Sequence, residues 1–251
     1  MTEHNPYARA DLYDLEYADV LEDIPHYVKL SSSHAHVLEL GCGTGRLTLP
    51  MARAGASVFG IDQAPDMLNR LEHKLRLEPD EVRLRIRYQQ GDFRTFRIRQ
   101  RVPLVVWPFN ALHHCADAEE IGEVLQSVRD ALLPGGLLAL DCYLPDPQLY
   151  GRNPERKYEH RTFEDPATRE TIESWEQGWW DAERSTHNVI YVYRYPDQQE
   201  YRSHLKLRMY TVDELRQAVH RSGFQIVREA QDFKGTRVRR NALKWVVTLK
   251  G

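Results

Sequence analysis

Cysteine is scarce in this chain, and the three present, Cys42, Cys115 and Cys142, are odd in number and far apart. Such a set excludes a disulfide framework, matches no metal-ligand spacing and points to a reducing compartment. Neither sign of charge is in excess: 34 Lys+Arg stand against 37 Asp+Glu, a formal net charge of -3. A dedicated nucleic-acid or membrane-surface binder would carry surplus Lys and Arg. Long apolar runs are missing too, since stretches such as Leu137 to Leu140 fall far short of a bilayer span. The N-terminus, Met1-Thr-Glu-His-Asn-Pro-Tyr7, lacks a basic-then-apolar signal pattern, so a soluble cytoplasmic protein is expected. Internal repeats, low-complexity tracts and linkers are likewise absent, and 251 residues suffice for a core without a disulfide or metal staple. One domain, 1–251, is expected.

What the chain does have is an alternation of short apolar runs with longer segments of helical period, the pattern of a parallel sheet flanked by helices. Val37 to Leu40 reads as a strand, Arg46 to Ala54 as a helix, Val58 to Asp62 as a second strand, and Pro65 opens a second helix with Met67, Leu68 and Leu71 inward. Val82, Leu84, Ile86 and Tyr88 alternate with Arg83, Arg85 and Arg87, which predicts one strand; Phe96 to Arg99 repeats the pattern. Charge on a strand near a sheet edge accounts for these arginines better than a nucleic-acid patch does. Leu104 to Trp107 and Leu137 to Asp141 read as central strands. The capping boxes Asp117-x-x-Glu120 and Thr211-x-x-Glu214 each open an amphipathic helix, the second ending at Gly223. Phe224 to Val227 and Ala242 to Leu249 complete the set.

A glycine cluster follows the first strand directly, where a doubly wound fold brings main chain close to a ligand. It reads Glu39-Leu-Gly41-Cys-Gly43-Thr-Gly45, with Arg46 where dinucleotide enzymes need a third, spaced glycine. Val37 to Gly45 resembles the first motif of the class I, Rossmann-like S-adenosylmethionine-dependent methyltransferases. The later motifs fall in order: Gly60 to Leu68, Gly91-Asp92-Phe93, and Leu132 to Asp141. The resemblance implies an α/β, doubly wound, seven-stranded sheet in the order 3-2-1-4-5-7-6, strand 7 antiparallel, with helices on both faces. It also implies an enzyme that uses S-adenosylmethionine and releases S-adenosylhomocysteine.

Residue by residue, the resemblance implies that Gly41, Gly43 and Gly45 let main chain approach the methionine part of the cofactor and that Glu39 holds its amino group. Asp62, 21 residues after Gly41, would accept from both ribose hydroxyls; Asp92 would contact the adenine amine, with Phe93 at the ring edge. Cys42, Gln63, Met67 and Asn110 occupy cofactor-facing positions of the same motifs. The fourth strand runs into Trp107-Pro-Phe-Asn-Ala-Leu-His113-His114, similar to amino-sugar N-methyltransferases and related small-molecule enzymes. His114 is the first candidate for positioning or deprotonating an acceptor and His113 the second, because an imidazole titrates near neutrality; a structural hydrogen bond is the alternative for each. Tyr13-Asp-Leu-Glu-Tyr17 resembles the Tyr-Asp pair that related enzymes fold over the cofactor, which makes Tyr13 a third catalytic candidate and Tyr17 a cofactor contact, with an amphipathic helix packing its tyrosines the alternative, within an N-terminal helical cap over 1–35.

Residues 142 to 210 hold Trp175, Trp179, Trp180 and eight of the 13 Tyr. His187, Val189, Tyr191, Tyr193 and Tyr195 share one side of a strand, Pro196 to Gln199 turn it, and Tyr201, Leu205, Leu207 and Met209 return. An antiparallel substrate lid over 142–210 is therefore expected after the fifth strand, some of its aromatic rings lining an acceptor pocket. The acceptor expected is oxygen or nitrogen of a small organic molecule, methylated by in-line displacement. RNA or protein methylation and a non-catalytic S-adenosylmethionine-binding subunit are the alternatives, with the basic run Lys234, Arg237, Arg239 and Arg240 the feature to test for RNA. A homodimer is left open.

Overall fold

A computed structural model describes Asn5, residues 7–165 and residues 168–251. Residues 1–4 and 6, part of the N-terminal segment read above, lie outside the described residues. Two helices come first, α1 (Ala10–Glu16) and α2 (Ile24–Ser32), the latter with Pro25 in its first turn. Then the alternating pattern begins with β1 (His36–Leu40), α3 (Thr48–Arg53), β2 (Ser57–Asp62) and α4 (Pro65–Leu75). The first helix after the glycine cluster starts later than Arg46, because Gly41, Gly43 and Gly45 all adopt positive φ and carry the chain through a loop before it can coil.

The alternation from Val82 to Tyr88 does not form one strand. Pro79 sets an extended entry and Asp80 and Glu81 fill the first turn of a short helix, α5 (Asp80–Arg83), a placement that the positive end of a helix favours. Leu84 is left 79% exposed, and β3 is only Ile86–Gln90. Phe96 to Arg99 is not a strand either: it follows a turn closed by Thr95 N–H to Asp92 C=O, with Phe96 buried in the core. β4 (Val102–Trp107) leads through a 3-10 turn (Ala111–His114) to α6 (Ala118–Ala131) and β5 (Leu132–Tyr143). Asp117 caps α6 as expected, but Glu120 does not return to it; its carboxylate takes the Ala116 N–H and the Arg94 guanidinium instead.

After β5 come α7 (Pro147–Tyr150) and four strands, β6 (Tyr158–Glu164), β7 (Thr171–Asp181), β8 (Thr186–Arg194) and β9 (Glu200–Arg208). They pair antiparallel in sequence order as a second sheet. The chain then rejoins the main sheet with α8 (Val212–Arg221), opened by a complete Thr211/Glu214 capping box, and β10 (Gln225–Ala230) and β11 (Lys244–Lys250). The main sheet runs β10-β11-β5-β4-β1-β2-β3, with β11 antiparallel to both neighbours. Counted within that sheet, this is the expected order 3-2-1-4-5-7-6.

One face of the sheet packs Trp107, Leu138 and Trp245 against α6 and α8; the other packs Val37, Leu104 and Val106 against Tyr27, Met51 and Leu71 of α2, α3 and α4. Helix α1 bridges the two sheets. Ala10 packs with Ala64 and Met67 beside α4, while Leu12 packs with Ile172 and Tyr193 of the second sheet. Asp14 fastens this bridge by accepting from Thr44 Oγ1 (2.7 Å), Arg70 Nε (2.7 Å) and Lys74 Nζ (2.6 Å). No described helix is long and apolar enough to cross a membrane.

Candidate active site

At the carboxyl ends of β1 and β2 the main chain turns back on itself and leaves two carboxyl groups facing a cavity. Asp62 Oδ2 accepts from Gly43 N–H (2.8 Å) and Oδ1 from Ala64 N–H (2.9 Å), which fixes the carboxylate while burial raises its pKa. Glu39 is buried, takes one hydrogen bond from Thr48 Oγ1 (2.6 Å) and, among the described residues, forms no ion pair; burial lifts its pKa to about 8. Gly43 is favoured by its φ of 52°; a Cβ there would make only ordinary contact with Met67 and the Asp62 carboxylate. Gly45 acts differently: a Cβ would come within 2.5 Å of Leu71 Cδ1, so this glycine packs the loop on α4 and does not line the cavity.

After β4, Phe109 (φ 55°) and Asn110 (φ 63°) are consecutive non-glycine residues in the left-handed region. That conformation costs on the order of 1–3 kcal/mol per residue and needs support around it. Asp141 supplies part of it: its Oδ1 accepts from Phe109 N–H (3.0 Å) and Tyr27 Oη (2.6 Å), and burial raises its pKa to about 6. The Arg46 guanidinium, paired with Asp23, lies 4.0 Å from the Phe109 ring centre. Asn110 Oδ1 accepts from Tyr143 N–H (2.6 Å), tying the loop to the end of β5.

The turn that follows brings both histidines to the cavity with different partners. His114 Nε2 lies 2.6 Å from Tyr7 Oη, and burial, reinforced by Arg94, lowers its pKa to about 4. His113 is 1% exposed; its Nδ1–H donates to the Arg208 carbonyl (2.7 Å), and burial again lowers the pKa to about 4. The expectation of imidazoles poised near neutrality therefore does not hold, because the turn is too well buried for a charged ring. Both rings are neutral at physiological pH.

The second sheet closes the cavity with one face. β8 pairs with β9 so that His187, Val189, Tyr191 and Tyr193 stand opposite Leu207, Leu205, Ser203 and Tyr201, and all eight line the cavity. Tyr17 and Tyr191 hydroxyls are 3.2 Å apart, joining α1 to β8. Glu176 of β7 lines the same face and pairs with Arg152 (2.9 Å). The lid's aromatic lining comes from Tyr191, Tyr193 and Tyr201, and none of Trp175, Trp179 and Trp180 is part of it. Trp175 and Trp179 have the other parity along β7, and Trp180, of the cavity parity, packs on Tyr150 at 4.3 Å between ring centres.

One cavity of about 640 Å³ thus joins Asp62 and Glu39 at one end to Tyr191 and Glu176 at the other. The structure brings together Tyr13, Tyr17, Glu39, Gly41, Cys42, Gly43, Asp62, Gln63, Met67, Phe93, Asn110, His113 and His114 as its lining. Asp92 is not among them. Its carboxylate is held outside by Arg94 at 2.7 Å, which lowers its pKa, and its side chain is one-third exposed. The sequence reading gives no site role to Tyr7, Arg46, Phe109 or Glu176, and it reaches His187 and Tyr191 only as members of one side of the lid hairpin.

Residues 37–136 match the sequence profile of the family described as Methyltransferase domain. The glycine loop and the later motifs that carry the resemblance fall almost wholly within this matched segment. Among relatives, the cypemycin N-terminal methyltransferase of a Streptomyces species is 35% identical over 43% of this chain and 42% of its own length. The dTDP-3-amino-3,4,6-trideoxy-alpha-D-glucopyranose N,N-dimethyltransferase of Streptomyces venezuelae is 29% identical over 53% of this chain and 56% of its own length. The chain thus spans about half the length of the curated relatives it matches. Among solved structures, the CcbJ methyltransferase from Streptomyces caelestis superposes with a TM-score of 0.80 at 22% identity, covering 100% of this chain and 99% of the other. The whole fold, second sheet included, is therefore shared with a methyltransferase.

Proposed function

We propose that the protein is an S-adenosylmethionine-dependent methyltransferase acting on oxygen or nitrogen of a small organic molecule. The observation that carries this reading is the single cavity, in which the glycine loop and its carboxyl groups face the same space as the covered chamber under the second sheet. At about 640 Å³ the cavity is of small-molecule size.

The residues present fit the cofactor. Asp62, fixed by two main-chain N–H groups, retains acceptor capacity for a pair of hydroxyls, and Glu39 is a buried carboxyl without a counter-ion, suited to an ammonium group. Met67 and Phe93 offer apolar surface to a purine, and Tyr13 and Tyr17 close over the site from α1. When bound, S-adenosylmethionine supplies a methyl group on a good sulfonium leaving group.

The protein's own part is to exclude water and align the acceptor. The N-terminal helix and the second sheet act as the cap and lid that shut the chamber. His114 with Tyr7 is positioned to take the acceptor's proton, Nε2 accepting from the phenol and the phenol oxygen meeting the acceptor. An imidazole whose pKa lies near 4 is a weak base for an alkylammonium, so an amine acceptor reacts in its neutral form. Of the basic run read in the sequence, none of Lys234, Arg237, Arg239 and Arg240 lines the cavity, which favours a small acceptor over RNA.

The test follows radiolabelled methyl from S-adenosylmethionine into a cell extract fractionated by size. Label in small molecules supports this reading. Label in protein or nucleic acid overturns it, and cofactor binding without transfer would make the chain a binding subunit.

A further inference from the structure

Two buried imidazoles in the chamber are left with a bare nitrogen. His113 spends its Nδ1–H on the Arg208 carbonyl, which leaves Nε2 as a lone-pair acceptor. Among the described residues that atom is buried and finds no hydrogen-bond partner of ordinary geometry, although the main chain of Tyr143 lies close enough to the ring to favour its charged form. His187, 6% exposed, also has a buried, unpartnered Nε2. Its ring lies over Gly178, where a Cβ would approach Nε2 to 3.2 Å. Both residues flank the same stretch of β9, since His187 pairs with Leu207 and His113 bonds to Arg208. A buried polar atom left unsatisfied is costly, and a ligand group that satisfies it recovers that cost.

The charges in the same cavity say what kind of molecule brings those groups. Every Lys and Arg lining it is already paired: Arg9 with Asp11, Arg46 with Asp23, Arg152 with Glu176, Arg161 with Glu16, and Lys244 with Glu22. Among the described residues, Glu39, Asp62 and Asp146 line it without a basic partner. Val189, Leu205, Leu207 and Met209 add apolar surface beside the histidines. A phosphate or diphosphate would have to displace a carboxylate from an arginine to be recognised there, with the unpaired Asp146 opposing it.

We infer that His113 and His187 are the acceptor-recognition residues of this site, and that they select a phosphate-free molecule bearing hydroxyl or amine hydrogen-bond donors beside an apolar face. This rests on the methyltransferase reading for what the chamber is for. It separates this chain from the relative whose substrate carries a dTDP group. Because burial keeps both rings neutral, with pKa values near 4, the acceptor lone pair of His113 is available at physiological pH.

The test uses the full-length protein labelled with 15N-histidine and two matched probe sets: methyl glycosides of amino-deoxy sugars, and the same sugars as nucleoside diphosphate conjugates. The Nε2 resonances of His113 and His187, assigned by their loss in His113→Gln and His187→Gln, should shift saturably with at least one free glycoside. The conjugates should bind at least tenfold more weakly. The KM for methyl transfer to that glycoside should rise about tenfold in His113→Phe and in His187→Phe, the loss of about one hydrogen bond, with cofactor Kd unchanged. His113→Gln, which keeps an acceptor near the same place, should recover part of it. Conjugates that bind as tightly as the free sugars, or imidazoles that move with neither set, overturn the inference. Cofactor binding is measured separately by calorimetry, and its absence would sink the methyltransferase reading instead, because the imidazole shifts are read without cofactor.

Discussion

At the glycine-loop end of the cavity, the groups that face the ligand space are set by main-chain geometry: left-handed glycines, N–H groups aimed at Asp62, and strand ends that stop at one level. Under the second sheet they are set by strand parity, every other side chain of β8 and β9 entering the chamber. The first arrangement tolerates little change, because each position has one steric or hydrogen-bonding solution. The second can be rewritten residue by residue on an unchanged backbone. A fixed end and a variable end within one cavity suit a common cofactor and a family of acceptors.

The comparison is broken most directly at Asp62. Asp62→Ala removes two charge-assisted acceptor positions, and cofactor affinity should fall by roughly 100-fold or more, measured by calorimetry. Near-normal binding would mean that this carboxylate, held by Gly43 and Ala64, serves only the loop. The next largest effect lies where the two ends meet. His114→Ala should lower turnover by about tenfold, at the modest end of what proton transfer contributes, and leave cofactor Kd unchanged. Since the wild-type ring has a pKa near 4, turnover should fall only as pH drops through that range, where protonation removes its lone pair. Turnover that is unaltered in the variant removes His114 from the mechanism.

Glu39 sharpens the account of the fixed end by a smaller, thermodynamic effect. Its carboxyl, with a pKa of about 8 against an ordinary 4.5, holds a proton at pH 7 until a cationic group arrives. Cofactor binding at pH 7 should therefore release close to one proton, seen as a dependence of binding enthalpy on buffer ionisation. The release should vanish in Glu39→Gln and well above pH 8. The same shift gives the folded state a proton that the unfolded chain has lost, so this group's contribution to stability is full below about pH 4.5 and is lost as pH rises through 8.

How much of this was legible in the sequence follows the same division. Gly41, Gly43, Glu39 and Asp62, which the resemblance pointed to, all line the cavity, because the left-handed glycine loop holds the ends of β1 and β2 against it. Asp92 does not line the cavity here, because Arg94, two residues on, holds its carboxylate, and a motif spacing carries no record of such a local competitor. Val82 to Tyr88 failed because a period of two was read through a proline and two acidic residues that start a helical turn. In the second sheet, the hairpin and its inward face were visible from alternation. The lowered pKa values of His113 and His114 were not, since they depend on burial by Arg208, Tyr7 and other groups distant in sequence.

The smallest predicted effect tests whether aromatic composition or strand parity decides what the chamber recognises. Trp179 is large and aromatic, and composition alone would place it in an acceptor pocket. In the sheet it stands opposite Asn188, on the parity that faces away from Val189 and Tyr191, with its ring 5.3 Å from that of His204. Trp179→Phe should therefore cost about 1 kcal/mol or less of stability in a thermal melt and leave the acceptor KM within about twofold. Tyr191→Phe, which keeps the ring but removes the hydroxyl facing Tyr17, alters an atom inside the cavity and should raise that KM more. If the order of the two effects is reversed, recognition extends through the sheet to its outer face, and the division between a backbone-set end and a parity-set end no longer describes the site.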